Sequence, residues 1–321
     1  MFWKKDVKNK KILNTALAGT GPMAGRYAGY IHRHPGMKLV IGHSHDKGRA
    51  EESSRRFEVP FETEIQRVLE MPGLDMIVIA SAPYQHEAQV FAAIDRKIPV
   101  ICEKPVITDM SRLDILYSRV CQGVAPVECV FQKRLNRTTA MAAEFIKKTP
   151  LGRIKHVRAR SLYSRARGYY DHPRKGKKEL SGGGALITQG IHALDLLLFL
   201  FGEAERAEGE IRCDRFHDIE VEDTADVRVF FKSGITAELN VTTASEKPHE
   251  EIEIVCEGGS LTFGPHKWGN RPWRYRSAKP EETIHEFYLK MAGADAASSP
   301  AALWYNTHRL VADLYKMSGN I

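Results

Sequence analysis

A chain of 321 residues with 43% hydrophobic and 27% charged residues can bury about two domains without disulfide or metal staples, which excludes a disulfide scaffold and a disordered chain. Lys plus Arg (47) exceed Asp plus Glu (40), and this net charge of +7 comes with no nucleic-acid motif, so no nucleic-acid partner is expected. The cysteines (Cys102, Cys121, Cys129, Cys213 and Cys256) are odd in number and fit no metal spacing, so free thiols and no metal are expected; the basic opening Met1-Phe-Trp-Lys-Lys carries no leader pattern, and the longest apolar run, Leu196–Phe201, is too short to span a membrane, so a soluble cytoplasmic protein is expected.

Residues 12–18 (ILNTALA) suit a buried strand, and a helical stretch follows to about His32. Residues 38–44 read as a second strand, 47–57 as a helix, 62–71 as another helix and 75–81 as a third strand. Residues 85–96 read as a helix and 99–102 as a fourth strand. Strands alternating with helices indicate a parallel α/β sheet, and near-continuous β-branched runs fit strands buried on both faces. The rhythm changes near residue 135. A helix over 136–148 is followed by strands at 154–163, 206–213, 224–232, 235–243 and 251–256, with a hairpin turn at Lys232-Ser-Gly234. This half reads as α+β with a mainly antiparallel sheet, closed by helices at 282–291 and 301–317. The division falls into residues 1–133 and 134–321.

Gly19-Thr-Gly21-Pro22-Met23-Ala24 joins the first strand to the first helix. The first glycine permits the tight turn, the second lets a pyrophosphate approach the backbone, and the small third residue lets helix and strand pack closely. The helix N-terminus then offers N–H groups and a positive dipole end to phosphates. An NAD site expects an acid at the end of the second strand, bonded to the ribose 2′-OH. This chain has Ser44 and His45 there, followed by Asp46, Lys47 and Arg49, a set that favours NADP over NAD. Ala80 at the end of the third strand, and Pro83 and His86 after it, are further candidates for the cofactor side.

In the second half, residues 185–201 (ALITQGIHALDLLLFLF) are apolar around most of a helix, which is therefore expected to be buried. Thr188, His192 and Asp195 fall at i, i+4 and i+7 on one face, and buried polar groups are costly unless bonded. Ser181-Gly-Gly-Gly184 reads as a turn that lets substrate or cofactor approach. Tyr170, beside Tyr169, is a candidate to bond or stack on a sugar, and Arg134 is a candidate at the domain junction. Ten basic residues crowd positions 153–178. They read either as a solvated rim or as an attractor for an anionic substrate.

Glu103-Lys104-Pro105 sits directly after the strand at 99–102. With Gly19-x-Gly21-x-x-Ala24, Leu151-Gly-Arg-Ile and Gly182-Gly-Gly-Ala-Leu-Ile-Thr-Gln-Gly-Ile-His192-Ala-Leu-Asp195, it resembles the Gfo/Idh/MocA oxidoreductases over nearly the whole chain. The resemblance implies a dinucleotide-binding Rossmann domain followed by a substrate-binding domain whose sheet mediates homodimer or homotetramer contacts. It implies hydride exchange between NADP or NAD and a secondary alcohol or ketone of a small sugar-like molecule. It places Lys104 and His192 as catalytic residues, Asp195 on the substrate, and Glu103 beside the cofactor. Many members carry an aspartate where this chain has Thr188. That leaves open whether His192 or Lys104 moves the proton. The basic stretch favours a sugar acid, sugar phosphate or nucleotide-sugar. Reduction of a non-sugar carbonyl or imine, and a non-catalytic dinucleotide sensor, are the alternatives.

Overall fold

The computed structural model describes residues 11–122, 125–216, 218–265, 267–269, 271–272, 277–292 and 301–319; the basic opening at Met1 lies outside them. The chain forms two compact units: Met1–Thr108, Asp114–Val130 and Pro280–Ala301 make the first, and Asp109–Leu113, Phe131–Lys279 and Ala302–Ile321 the second. The chain thus leaves and re-enters each unit, beyond the single break expected after residue 133.

The first unit begins β1 (Leu13–Ala18), α1 (Pro22–Arg33), β2 (Met37–His43), α2 (Lys47–Phe57), β3 (Phe61–Glu62) and α3 (Ile65–Leu69). It continues with β4 (Met76–Ile79), α4 (Pro83–Asp95), β5 (Val100–Cys102), α5 (Leu113–Gln122) and β6 (Val127–Cys129). All six strands are parallel, in the order β3-β2-β1-β4-β5-β6. The order reverses between β1 and β4, where ligands of such sheets bind beyond the carboxyl ends of the strands. Every residue of β4 (MIVI) and β5 (VIC) is buried, as strands covered on both faces require. The segment expected as a helix over 62–71 instead opens with the short β3. Glu62 pairs with His43 there, and only five residues remain for α3.

The second unit holds α6 (Arg137–Lys148), β7 (Ile154–Ser164), α7 (Lys178–Ser181), α8 (Ile191–Phe201), β8 (Ala204–Arg212), β9 (Thr224–Phe231) and β10 (Thr236–Thr242). Then come β11 (Ala244–Cys256), β12 (Gly259–Gly264), β13 (Lys267–Trp268) and β14 (Arg271–Pro272). The eight strands run β14-β13-β12-β11-β7-β10-β9-β8, antiparallel except for β7 with β10. Burial alternates along β7, β9 and β10. Val157, Ala159, Val227, Val229, Leu239 and Val241 turn inward while Arg158, Arg160, Arg228 and Glu238 turn outward. The stretch Lys178–Phe201 has the length and hydropathy of a membrane span, but 83% of its most apolar window is buried in this unit.

Two helices close the chain. α9 (Pro280–Ala292) belongs to the first unit, where Ile284, Phe287 and Tyr288 join the core formed by Leu17, Tyr27, Ile31 and Val78. Arg26–Glu281 (2.7 Å) and Lys290–Glu128 (3.3 Å) pin it there. α10 (Ala301–Met317) returns to the second unit.

Candidate active site

In the first unit, Gly19 has φ +118°, and a Cβ there would lie 2.5 Å from the Ala80 carbonyl oxygen. Only glycine lets β1 and the end of β4 close together in this way. The Gly19 N–H donates to His43 O at 2.9 Å. Gly21 is the N-cap of α1 and contributes no side-chain cap; Pro22 takes the first helical position and no acid stands in the first turn. A Cβ on Gly21 would meet no atom within 4 Å, so the start of α1 faces open space with its backbone donors and positive dipole end. Ala24 is fully buried against the sheet, and Met23 packs on the core. These residues fit a dinucleotide pyrophosphate.

Ser44 is buried beyond β2, its N–H bonded to Glu62 O (3.0 Å) and its hydroxyl near Asp46 O (3.2 Å). The Asp46 carboxylate caps α2 by accepting the Arg49 N–H at 2.8 Å. His45 is exposed, with Nδ1 2.7 Å from Gln85 Nε2 in the first turn of α4, a helix that Pro83 opens. His86 is buried, and both ring nitrogens reach backbone carbonyls: Nδ1 to Pro105 O (2.7 Å) and Nε2 to Ser81 O (3.2 Å). Burial lowers its basicity against those bonds. His86 thereby ties the turn after β4 to the turn after β5.

That second turn is Glu103-Lys104-Pro105, with a cis Lys104–Pro105 bond. The Glu103 carboxylate accepts the Tyr27 hydroxyl and the Lys104 N–H (3.2 Å). Burial holds this carboxyl above the usual range despite both bonds and the Lys104 charge. Glu103 is therefore the anchor of the turn. Lys104 is half-buried at the carboxyl end of β5, on the side of the sheet where Gly19 and Ala80 meet.

In the second unit, Leu186–Gly190 winds as a π-helix directly before α8. The α-helical spacing that placed Thr188 on the His192 face does not carry across it. The Thr188 hydroxyl donates to Gly184 O at 2.6 Å. His192 is buried, with the Phe131 ring edge-on at 5.8 Å. Asp195, 1% exposed, receives Arg134 Nε on Oδ2 at 2.8 Å, Arg134 Nη2 on Oδ1, and the Thr307 hydroxyl at 3.3 Å. Arg134 also lies over the Phe131 ring (5.2 Å). Arg134 and Asp195, both expected on the substrate, are thus bound to each other. Tyr170 is bonded through its hydroxyl to Thr243 Oγ1 (2.6 Å) and packs on Phe216, and burial pushes its pKa up to about 12.

The glycine run before this helix admits protein. A Cβ on Gly183 would lie 2.1 Å from the Tyr315 hydroxyl, and one on Gly184 1.8 Å from the Glu222 carbonyl oxygen. The buried Glu222 carboxylate accepts N–H bonds from Gly184 (2.9 Å) and Leu186 (2.8 Å) and the Tyr315 hydroxyl (2.8 Å). Burial raises its pKa against those bonds. Beside it, burial also acts on Asp223, but the N–H groups of Asp214, Phe216 and Arg215 outweigh it and hold the carboxyl low.

The model of the oxidoreductase family with an NAD-binding Rossmann fold matches residues 13–122, and that of the GFO/IDH/MocA C-terminal domain matches residues 139–262. The chain belongs to the Gfo/Idh/MocA family of oxidoreductases.

Among curated Gfo/Idh/MocA-like relatives, the chain is 34% identical to inositol 2-dehydrogenase 4 of Saccharopolyspora erythraea over 148 residues, 45% of this chain and 44% of that protein. The match therefore spans less than half of the relative. Identity to inositol 2-dehydrogenase of Rhodococcus erythropolis is 25%, covering 83% of this chain and 78% of that one. The fold is similar to that of the WlbA dehydrogenase from Chromobacterium violaceum, solved with NADH and UDP-GlcNAcA: the TM-score is 0.85 at 21% identity, covering 98% of this chain and 95% of that one.

Sequence reading missed Phe131, Glu222, Tyr315 and Thr307. Glu222 and Asp223, adjacent acids just before the strand at 224, were the available signal. Their partners lie too far away in sequence to be read from it.

Proposed function

We propose that this chain is an NAD(P)-dependent oxidoreductase acting on a CH–OH group, or the corresponding ketone, of a sugar-like small molecule. The observation that carries this reading is Lys104, held by the Glu103–Tyr27 and His86–Pro105 bonds at the same end of the parallel sheet as the glycine turn. The family and the two inositol dehydrogenase relatives support it.

Bound nicotinamide would supply the acceptor or donor of a hydride. Gly19, Gly21 and the N-terminus of α1 would hold the pyrophosphate. Lys104 would bond the reacting oxygen and stabilise its developing negative charge. The imidazole of His192 would take the hydroxyl proton in oxidation and return it in reduction. Asp195 and Arg134 would fix the helix that carries His192, and Tyr170 would line the same unit.

We infer a preference for NADP(H). Asp46, the first acid after β2 along the chain, is occupied in capping α2, while His45, Lys47 and Arg49 are exposed around it. A 2′-phosphate would meet less repulsion there than at a free carboxylate.

The test is the absorbance change at 340 nm with NADP+ or NAD+ and a panel of inositols, sugars and sugar acids. No substrate-dependent change with any of them would sink the enzyme reading, and a lower KM for NAD+ than for NADP+ would sink the cofactor preference.

A further inference from the structure

We infer that Arg165 and Lys175, with the rings of Tyr163 and Tyr169, form a subsite for an anionic group, a carboxylate or phosphate, carried by the substrate. This rests on the oxidoreductase reading above and names its substrate class.

The basic stretch at 153–178 divides into two populations. Arg153 pairs with Glu257 (3.3 Å), Arg158 with Glu253 (3.5 Å), Arg160 with Glu251 (3.0 Å) and Lys177 with Glu220 (2.6 Å). Arg167 pairs with Asp218 and with Asp171 (3.6 Å). These charges are neutralised locally. Among the described residues, Lys155, Arg165, Arg174, Lys175 and Lys178 form no ion pair. The Arg165 guanidinium instead stands 4.9 Å from the centre of the Tyr169 ring and 5.5 Å from that of Tyr163. Lys175 Nζ lies 5.2 Å from the same Tyr169 ring. The Arg165 Nε is shut off from solvent and makes no hydrogen bond. Aromatic faces hold a cation in place without cancelling its charge, so this positive potential is fixed in direction and available to an anion. Glu250, the acid that accepts the Tyr163 hydroxyl, is also bound by Lys133.

The cluster is joined to the helix bearing His192 within the same unit. The Arg165 N–H donates to Thr243 O (2.9 Å), and the Thr243 N–H donates to Asp223 O (2.8 Å). The neighbouring Glu222 caps the turn that leads through Thr188 to His192. A charged planar fork held in this way suits bidentate recognition of a carboxylate or phosphate.

The test is calorimetric titration of the full chain, with saturating NADPH, using glucose, glucuronate and glucose 6-phosphate. At least one of the two anions should bind about 10-fold tighter than glucose, and the advantage should shrink as NaCl rises from about 50 to about 500 mM. Arg165→Met with Lys175→Met should abolish the advantage while leaving glucose affinity unchanged, and Arg165→Lys should keep part of it. Equal binding of the three sugars by the wild type, or an advantage that survives the double substitution, would overturn the subsite. Absorbance at 340 nm separates the two readings. Anion-selective binding by a chain that turns over no sugar would sink the enzyme reading alone. Turnover without anion selectivity would sink the subsite alone.

Discussion

Asp195 and Arg134 are bound fork to fork inside the second unit, the carboxylate 1% exposed and the guanidinium side chain 12% exposed. Such a pair contributes little net stability, but removing one partner strands the other charge away from water. Arg134→Met is expected to cost about 3–5 kcal/mol. The double substitution Arg134→Met with Asp195→Leu should cost clearly less. Urea unfolding of the three proteins checks the sign of that difference. A single variant as stable as wild type would show that the pair is solvated in solution.

In the proposed reaction Lys104 bonds the reacting oxygen and His192 takes its proton. Lys104→Ala and His192→Ala should each lower kcat by about 100-fold or more, with thermal stability close to wild type. The pH profile of kcat in His192→Gln discriminates between the two as proton carrier. Loss of the wild-type inflection would assign the proton to His192, while an unchanged profile would leave it with Lys104.

The two glycine motifs should respond in opposite ways to a single methyl group. Gly21 has φ −75° and open space at its Cβ position, so Gly21→Ala should change stability by no more than about 0.5 kcal/mol. It should raise the KM for the dinucleotide about 10-fold, because the methyl group occupies the ground proposed for the pyrophosphate. Gly184→Ala would drive a methyl group into the Glu222 backbone and should cost about 3 kcal/mol or more. Thermal melts of both variants, with and without cofactor, measure this. An unstable Gly21→Ala protein would contradict the open geometry.

His34 sets an acid limit on the first unit. Its Nδ1 accepts the Gly36 N–H at 3.1 Å, which directs the proton of the neutral ring from Nε2 toward His285 Nδ1, 3.0 Å away. Burial, and then the charge of His285, lower its pKa to about 4. The folded state therefore favours the neutral ring. The stability this contributes is present above the unfolded value near 6.5 and is lost as pH falls from there toward about 4. Between about pH 7 and about pH 4.5, wild type should lose on the order of 1–2 kcal/mol more than His34→Gln, after allowance for solvent screening. Urea midpoints at the two pH values give the comparison, and equal losses would remove His34 from the acid limit.

Local pattern made the parallel sheet legible. The apolar runs at β1, β4 and β5 and the glycines at 19 and 21 each report only on residues a few positions away. Lys104 was visible for the same reason, as a charge set against the end of a buried strand. The hairpin at Lys232-Ser-Gly234 joins β9 to β10 in antiparallel register, as the turn residues indicate. The π-helix at Leu186–Gly190 was not legible, because a wider turn leaves the apolar pattern intact while rotating the faces of α8 relative to the residues before it. Nor was the role of the glycine run, since the groups pressing on Gly183 and Gly184 come from Tyr315 and Glu222. The parallel pairing of β7 with β10 is likewise a choice made by the whole sheet.

The return of α9 to the first unit fixes an order of events on the ribosome. Leu17, Tyr27, Ile31 and Val78 emerge early, but the residues that cover them, Ile284, Phe287 and Tyr288, are synthesised more than 200 positions later. The nascent dinucleotide-binding half waits for its lid with apolar surface open to chaperones, and it completes its core only when nearly the entire chain has been translated.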